Sequence, residues 1–200
     1  MKLSGHLKAT ASLTLIVANL LVWSLPLVLL LVTRTLVPAS RGLMSRLGIA
    51  VYRHAVAFDD WVLNRVSGAH WHDPYLELHR DEVIVVVANH RSWTDVFLLQ
   101  SIISKRGPIV KFLCKRELTY IPILGLICFA FEFPVLRRRA RGAQSEHDRR
   151  DDDRRRVRDA CEVLYKAPAA MLIFAEGTRF TELRRNRSRS PYVFRYVRRA

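Results

Sequence analysis

The first apolar block, Leu13 to Val32, is twenty residues long and carries no charge. A helix of that length spans about 30 Å, the thickness of a bilayer's hydrocarbon core. Asn19 and Ser24 are polar but tolerable there, and Pro26 predicts a kink. Lys2 and Lys8 would suit a cleaved signal peptide, yet the run is longer than a typical signal core. Arg34, Arg41, Arg46 and Arg53 follow it, and positive residues on that side favour the cytoplasm. The pattern predicts an uncleaved anchor with the rest of the chain on the cytoplasmic face. A re-entrant segment is the alternative.

The next pattern has helical spacing. Leu43, Leu47, Ala50, Val51, Ala55, Phe58 and Trp61 recur with arginines between them. Such a helix either packs into a core or lies on anionic lipid, and packing is the plainer reading. From residue 81 strand-like and helix-like blocks alternate. Val83–Ala88 reads as strand, Trp93–Ser104 as helix and Ile109–Cys114 as strand. Arg116–Ile121 and Ile123–Phe129 read as helical pieces broken at Pro122. Glu132–Leu136 reads as a short strand, Asp148–Lys166 as a long amphipathic helix with Val157, Cys161 and Leu164 on one face, and Met171–Ala175 as strand. This rhythm predicts an α/β fold: a mixed, mainly parallel sheet flanked by helices, behind a membrane helix. There are no internal repeats. Nothing after Met171–Ala175 offers a further strand, so that strand is either an edge or part of a domain incomplete at its C-terminus.

Composition narrows the partners. The 33 Lys and Arg against 18 Asp and Glu leave a formal charge of +15. An acidic partner follows: an anionic membrane surface, nucleic acid or a phosphorylated substrate. Most of the excess is arginine, which favours bidentate phosphate recognition. Arg137 to Arg158 holds ten arginines with aspartates interspersed, and most of it reads as a solvated loop and helix face. Cys114, Cys128 and Cys161 form no CxxC pair and sit in apolar settings, so they read as buried free thiols. His70-Trp71-His72 has no ligand cluster around it and reads as a surface loop, so no metal site is expected.

Chemistry gathers at two strand ends. Val83–Ala88 delivers Asn89-His90-Arg91-Ser92-Trp93-Thr94-Asp95 to its C-terminal end, the edge where open α/β sheets bind ligands. His90 is a candidate general base and Asp95 a candidate partner for its second ring nitrogen. Ser92-Trp93-Thr94-Asp95 is equally a capping box, with Ser92 as N-cap and Asp95 starting the helix. Spacing alone leaves both open. Met171–Ala175 likewise delivers Glu176-Gly177-Thr178-Arg179, where Gly177 lets backbone approach a ligand and Arg179 offers a fork for phosphate. An ordinary turn with a surface arginine is the plainer account of that tetrapeptide. Lys115 and Arg137 follow two other strand-like segments and could reach the same edge.

Taken together these residues resemble the glycerolipid acyltransferases of the lysophosphatidic acid acyltransferase type. Asn89, His90 and Asp95 match that family's Asn-His-x-x-x-x-Asp motif. Lys115, Glu117-Leu118, Pro122, Gly125 and Arg137 match its second block, and Glu176 to Arg179 its Glu-Gly-Thr/Ser-Arg motif. The resemblance covers about residues 83–180, and Asn-His-Arg-x-Trp-x-Asp is similar to the lysocardiolipin and lysophosphatidylinositol branch and its bacterial inner-membrane relatives. It implies transfer of a fatty acyl group from acyl-CoA or acyl carrier protein to a lysophospholipid hydroxyl, with no other cofactor. His90 would be the base and Asp95 its partner. Arg137, Glu176, Gly177, Thr178 and Arg179, with Lys115, would form the acceptor site.

The domains expected are an anchor over 1–40, an amphipathic connecting helix and loop over 41–80, and an acyltransferase domain over 81–200. The family's fourth motif does not occur before Ala200, so that domain is expected to lack its C-terminal part. The competing expectations are an inactive truncated homologue or a basic membrane- or nucleic-acid-binding protein carried by Arg184–Arg189. Aromatics for base stacking enter only at Tyr192 and Phe194, which makes nucleic acid the weaker partner. A His90 hydrolase is weaker still, since no Gly-x-Ser-x-Gly elbow is present.

Overall fold

A long apolar helix and the helix that doubles back along it support the sheet. In the computed structural model, residues 2–71, 76–136, 155, 158, 161–162, 164–165 and 167–174 are described. α1 runs from Lys2 to Leu36, and its Gly5–Leu36 portion is long and apolar enough to cross a membrane. A 3-10 turn, Pro38–Ser40, reverses the chain into α2, Arg41–Val62. The two helices pack antiparallel. Asn19 Nδ2 donates to the Ala55 carbonyl and to Asp59 Oδ1, both at 2.9 Å, while Trp23 stacks on His54. Asn19 is thus a bolt between helices, a larger role than a tolerated polar residue. Leu63–Ser67 forms a π turn that ends at Gly68, whose φ of 71° is the left-handed conformation glycine adopts freely.

The described strands and helices then follow as β1 (Ile84–Ala88), α3 (Thr94–Arg106), β2 (Val110–Phe112), β3 (Cys114–Lys115), α4 (Pro122–Ala130), β4 (Val135–Leu136) and β5 (Ala170–Phe174). β1, β5 and β2 make a parallel sheet with β5 in the middle, and β3 pairs with β4 in a second parallel pair. Residues 155, 158, 161, 162, 164 and 165 are helical, as Asp148–Lys166 predicts. Leu164 is buried against Ala169 and Met171, while Cys161 is only half-buried. The core under the sheet is Ile103, Val110, Ala170 and Leu172, with Ile84, Val86, Ala88, Leu99, Phe112 and Phe174 against it.

α2 ties the hairpin to the sheet. The buried Tyr52 hydroxyl accepts the Val110 N–H at 3.1 Å and lies 3.2 Å from Ser104 Oγ. Burial pushes that hydroxyl above its ordinary range, so it stays a neutral donor and acceptor. The Arg53 guanidinium donates to the Ser104 carbonyl and, at 3.0 Å, to the Gly107 carbonyl, capping the C-terminal end of α3. Ser101 Oγ donates to Asp60 Oδ1 at 2.6 Å. The packed reading of this helix holds for one face. Tyr52, Val56 and Asp59 face the protein, whereas Leu43, Leu47, Phe58 and Trp61 are exposed.

Three expectations change. Ile109–Cys114 is two strands, because Leu113 N donates to the Leu172 carbonyl and the next residue, Cys114 N, to the Pro134 carbonyl. Glu132–Leu136 is strand only at its end, since Glu132 turns with φ of 54°. Trp71 belongs to no free surface loop; it packs against Ile16, Val62 and Leu63. Pro122 opens α4 in its first turn, where its missing N–H has no partner to lose.

Candidate active site

His90 stands two residues past the end of β1, where Asn89-His90-Arg91-Ser92 bends into α3. The bend closes around one carboxylate oxygen. Asp95 Oδ2 accepts the N–H groups of Arg91 at 2.6 Å and Ser92 at 2.7 Å, and lies 3.3 Å from His90 Nδ1. A carboxylate oxygen of this kind only accepts, so the Nδ1 proton points at Asp95. Burial alone would push the Asp95 carboxyl up. The Ser92 and Arg91 N–H groups and His90 outweigh it and hold the carboxyl below its usual range. The side chains of His90 and Asp95 are 13 and 24 % exposed, partly screened yet open to a substrate.

The choice between helix cap and His partner dissolves in this geometry. Asp95 accepts the Ser92 N–H, which is the reciprocal half of a capping box, and the same oxygen faces the imidazole. The helix starts at Thr94, one residue later than the box places it, and Ser92 Oγ accepts the Thr94 N–H at 3.2 Å, a capping bond. The loop is ordered by Asp95, and His90 is ordered with it.

A residue that motif reading gave no role packs on the His90 ring. The Phe174 ring stacks on the His90 imidazole, centroids 4.1 Å apart and planes 19° from parallel. Phe174 is the last residue of β5 and pairs with Ala88 in the ladder. The signal for it was the strand alternation, which puts Phe174 on the same face as Leu172.

Lys115 lies in the second strand pair, where its ladder partner is Leu136, the residue before Arg137. The approach from β3 to α4 is tight: a Cβ on Gly125 would sit 2.4 Å from the Thr119 carbonyl oxygen, so only glycine fits. Behind this segment Cys114 and Cys128 are buried with their Sγ atoms 3.5 Å apart, an arrangement that their sequence separation did not reveal. Arg137, Glu176, Gly177, Thr178 and Arg179 lie outside the described residues. The structure therefore brings together His90, Asp95 and Phe174, and puts Lys115 on a neighbouring pair of strands.

Comparison with curated proteins and with solved structures gives no match. A family model described as Acyltransferase matches residues 65–200, a span that takes in both strand ends and everything between them. That span is most of the chain, and it contains the His90–Asp95 loop at the edge where an α/β sheet presents its chemistry. The chain belongs to the Acyltransferase family.

Proposed function

We propose that the protein transfers a fatty acyl group from a thioester to the free hydroxyl of a lysophospholipid such as lysophosphatidic acid, at the cytoplasmic face of a membrane. The observation that carries this reading is the His90 Nδ1 contact with Asp95 Oδ2 at the end of β1 in a chain of this family. Nε2 takes the proton of the acceptor hydroxyl as that oxygen attacks the thioester carbonyl. The tetrahedral oxyanion collapses, the C–S bond breaks, and the imidazolium returns the proton to the departing thiolate. Asp95, held ionised by its three donors, stabilises the imidazolium between these steps. No serine nucleophile is needed, because the acceptor oxygen is itself the nucleophile.

The donor is acyl-CoA or acyl carrier protein. Arg137 and Arg179 carry the phosphate of the acceptor in this reading, with Lys115, Glu176, Gly177 and Thr178 completing its site. α1 supports a membrane setting by length and composition, and the exposed Arg41 and Arg46 beyond it suit an anionic surface. By resemblance the setting is a bacterial inner membrane.

The test is transfer of labelled acyl chains from acyl-CoA, and separately from acyl carrier protein, to lysophosphatidic acid in membranes carrying the chain. His90→Ala is expected to lower the rate by a factor on the order of 10³ with the protein still folded. An unchanged rate in His90→Ala would overturn the mechanism.

A further inference from the structure

Cys114 and Cys128 are 14 positions apart in the chain, yet their Sγ atoms lie 3.5 Å from each other. The backbone sets that approach. Cys114 N–H donates to the Pro134 carbonyl at 2.9 Å, and the Cys128 carbonyl accepts the Phe133 N–H at 2.8 Å. Two consecutive residues thus hold both cysteines, one on β3 and one on α4. Phe112, Ile127, Phe131 and Phe133 pack around the pair. We propose that Cys114 and Cys128 are a modification site: a small peroxide oxidises the two thiols to an internal disulfide, which slows acyl transfer until a thiol reduces it.

The hydrogen bond between the sulfurs pushes the Cys114 thiol above its ordinary range and holds the Cys128 thiol below it. Cys128 is therefore the attacking sulfur. An S–O bond forms, the O–O bond of the peroxide breaks, and the departing oxygen leaves as water with the Cys128 proton. The Cys114 sulfur then attacks the Cys128 sulfenic acid. The S–S bond forms, the S–O bond breaks, and the oxygen leaves as a second water with the Cys114 proton. Two thiols and one peroxide give one disulfide and two waters. The oxidant must be small, because both cysteines are buried. Their cover is thin. Cys128 is the only buried residue of the nine in α4, and the next residue, Phe129, is 66 % exposed. Local opening of so short a helix admits a peroxide.

The cross-link brackets the segment that holds Glu117-Leu118, Pro122 and Gly125. Closing 3.5 Å to a disulfide of about 2 Å draws α4 toward β3 by about 1.5 Å. Gly125 leaves no slack, since its backbone already lies against the Thr119 carbonyl. The movement passes to β3 and its partner β4, whose Leu136 precedes Arg137 of the proposed acceptor site. The slowing rests on the acyl-transfer reading; the disulfide does not.

The test uses the full chain in detergent micelles, reduced, freed of reductant, treated with hydrogen peroxide and then capped with N-ethylmaleimide in denaturant. Peptide mass spectrometry without reduction is expected to show Cys114 joined to Cys128, lighter by two hydrogens. Cys161, which lies outside this cluster, is expected to carry the cap. Amide exchange over residues 116–127 is expected to slow about tenfold. Transfer from acyl-CoA to lysophosphatidic acid is expected to fall about tenfold and to return with dithiothreitol. Cys128→Ala keeps the basal rate and loses the response, whereas Cys161→Ala keeps both. Sulfinic acid at Cys128 without the cross-link would overturn the inference, as would a cross-link that leaves transfer at its reduced-state rate. If Cys128→Ala does not fold, the mass and exchange measurements on the unmodified chain decide. If the reduced chain transfers no acyl group while the cross-link forms and exchange slows, the thiol pair stands and the acyl-transfer reading falls.

Discussion

α1 and β5 are built from the same apolar alphabet and meet opposite fates. In β5, Ala170, Met171 and Leu172 are 0, 1 and 1 % exposed, enclosed by β1 and β2 on the edges and α3 beneath. In α1, Leu25 is 74 % exposed, and Leu13, Leu21, Val22 and Leu29 are exposed with it. Hydrophobicity therefore does two jobs in one chain. In the sheet it excludes water by packing protein on protein. Along α1 an apolar row faces outward, which suits a lipid solvent. The polar contacts follow the same division. Asn19, Asp59 and Ala55 hold α1 to α2 on the inner side, and the outer side is left to Leu and Val.

The sharpest way to break that contrast is to place the same charge in both regions. Leu172→Asp puts an unpaired carboxylate in the core and is expected to cost more than about 4 kcal/mol, abolishing cooperative unfolding in detergent. Leu25→Asp is expected to leave the melting of the sheet portion unchanged and to weaken membrane insertion by about 3 kcal/mol, read as a shift of the chain from the membrane to the soluble fraction. If Leu25→Asp unfolds the sheet, α1 is core and not a lipid-facing helix.

A smaller effect tests the seam between the two regions. Tyr52 reaches from α2 to β2, and Tyr52→Phe leaves the Val110 N–H buried without its acceptor. The expected loss is about 1–3 kcal/mol in chemical denaturation, with acyl transfer retained in the fraction that is folded. A loss below about 0.3 kcal/mol would mean that the hairpin and the sheet are not mechanically joined at this point.

Local pattern made much of this legible, and its failures share one cause. The apolar runs located α1, β1 and β5, and the spacing of Leu43, Leu47, Phe58 and Trp61 located α2. His90 and Asp95 were legible as a pair because five residues of chain already bring them close. What local pattern could not show is pairing at long range. Ile109–Cys114 looks continuous, yet Leu113 answers to Leu172 and Cys114 to Pro134, two segments far apart in the chain. Phe174 carries no mark of its contact with His90, because that contact follows from the register of β1 on β5. The same holds for Cys114 with Cys128, and for Arg53, whose place in a basic flank hid its job of capping α3.

The smallest expected effect reads the solvent at the boundary itself. Arg34, near the end of α1, pairs with Glu132 in the turn after α4 at 3.2 Å, and the two side chains are 28 and 45 % exposed. The pair joins the apolar helix α1 to the Acyltransferase portion. In water an exposed pair of this kind is worth about 0.2–1 kcal/mol and is screened by salt. Arg34→Gln, Glu132→Gln and the double variant form a cycle whose coupling is expected in that range in detergent, falling further in 0.5 M salt (a Debye length of about 4 Å). A coupling above about 1.5 kcal/mol that ignores salt would mean the pair is shielded from water, since a low dielectric strengthens the attraction and excludes counterions. The contrast between α1 and the sheet would then need redrawing, with lipid reaching past Arg34 onto the turn after α4.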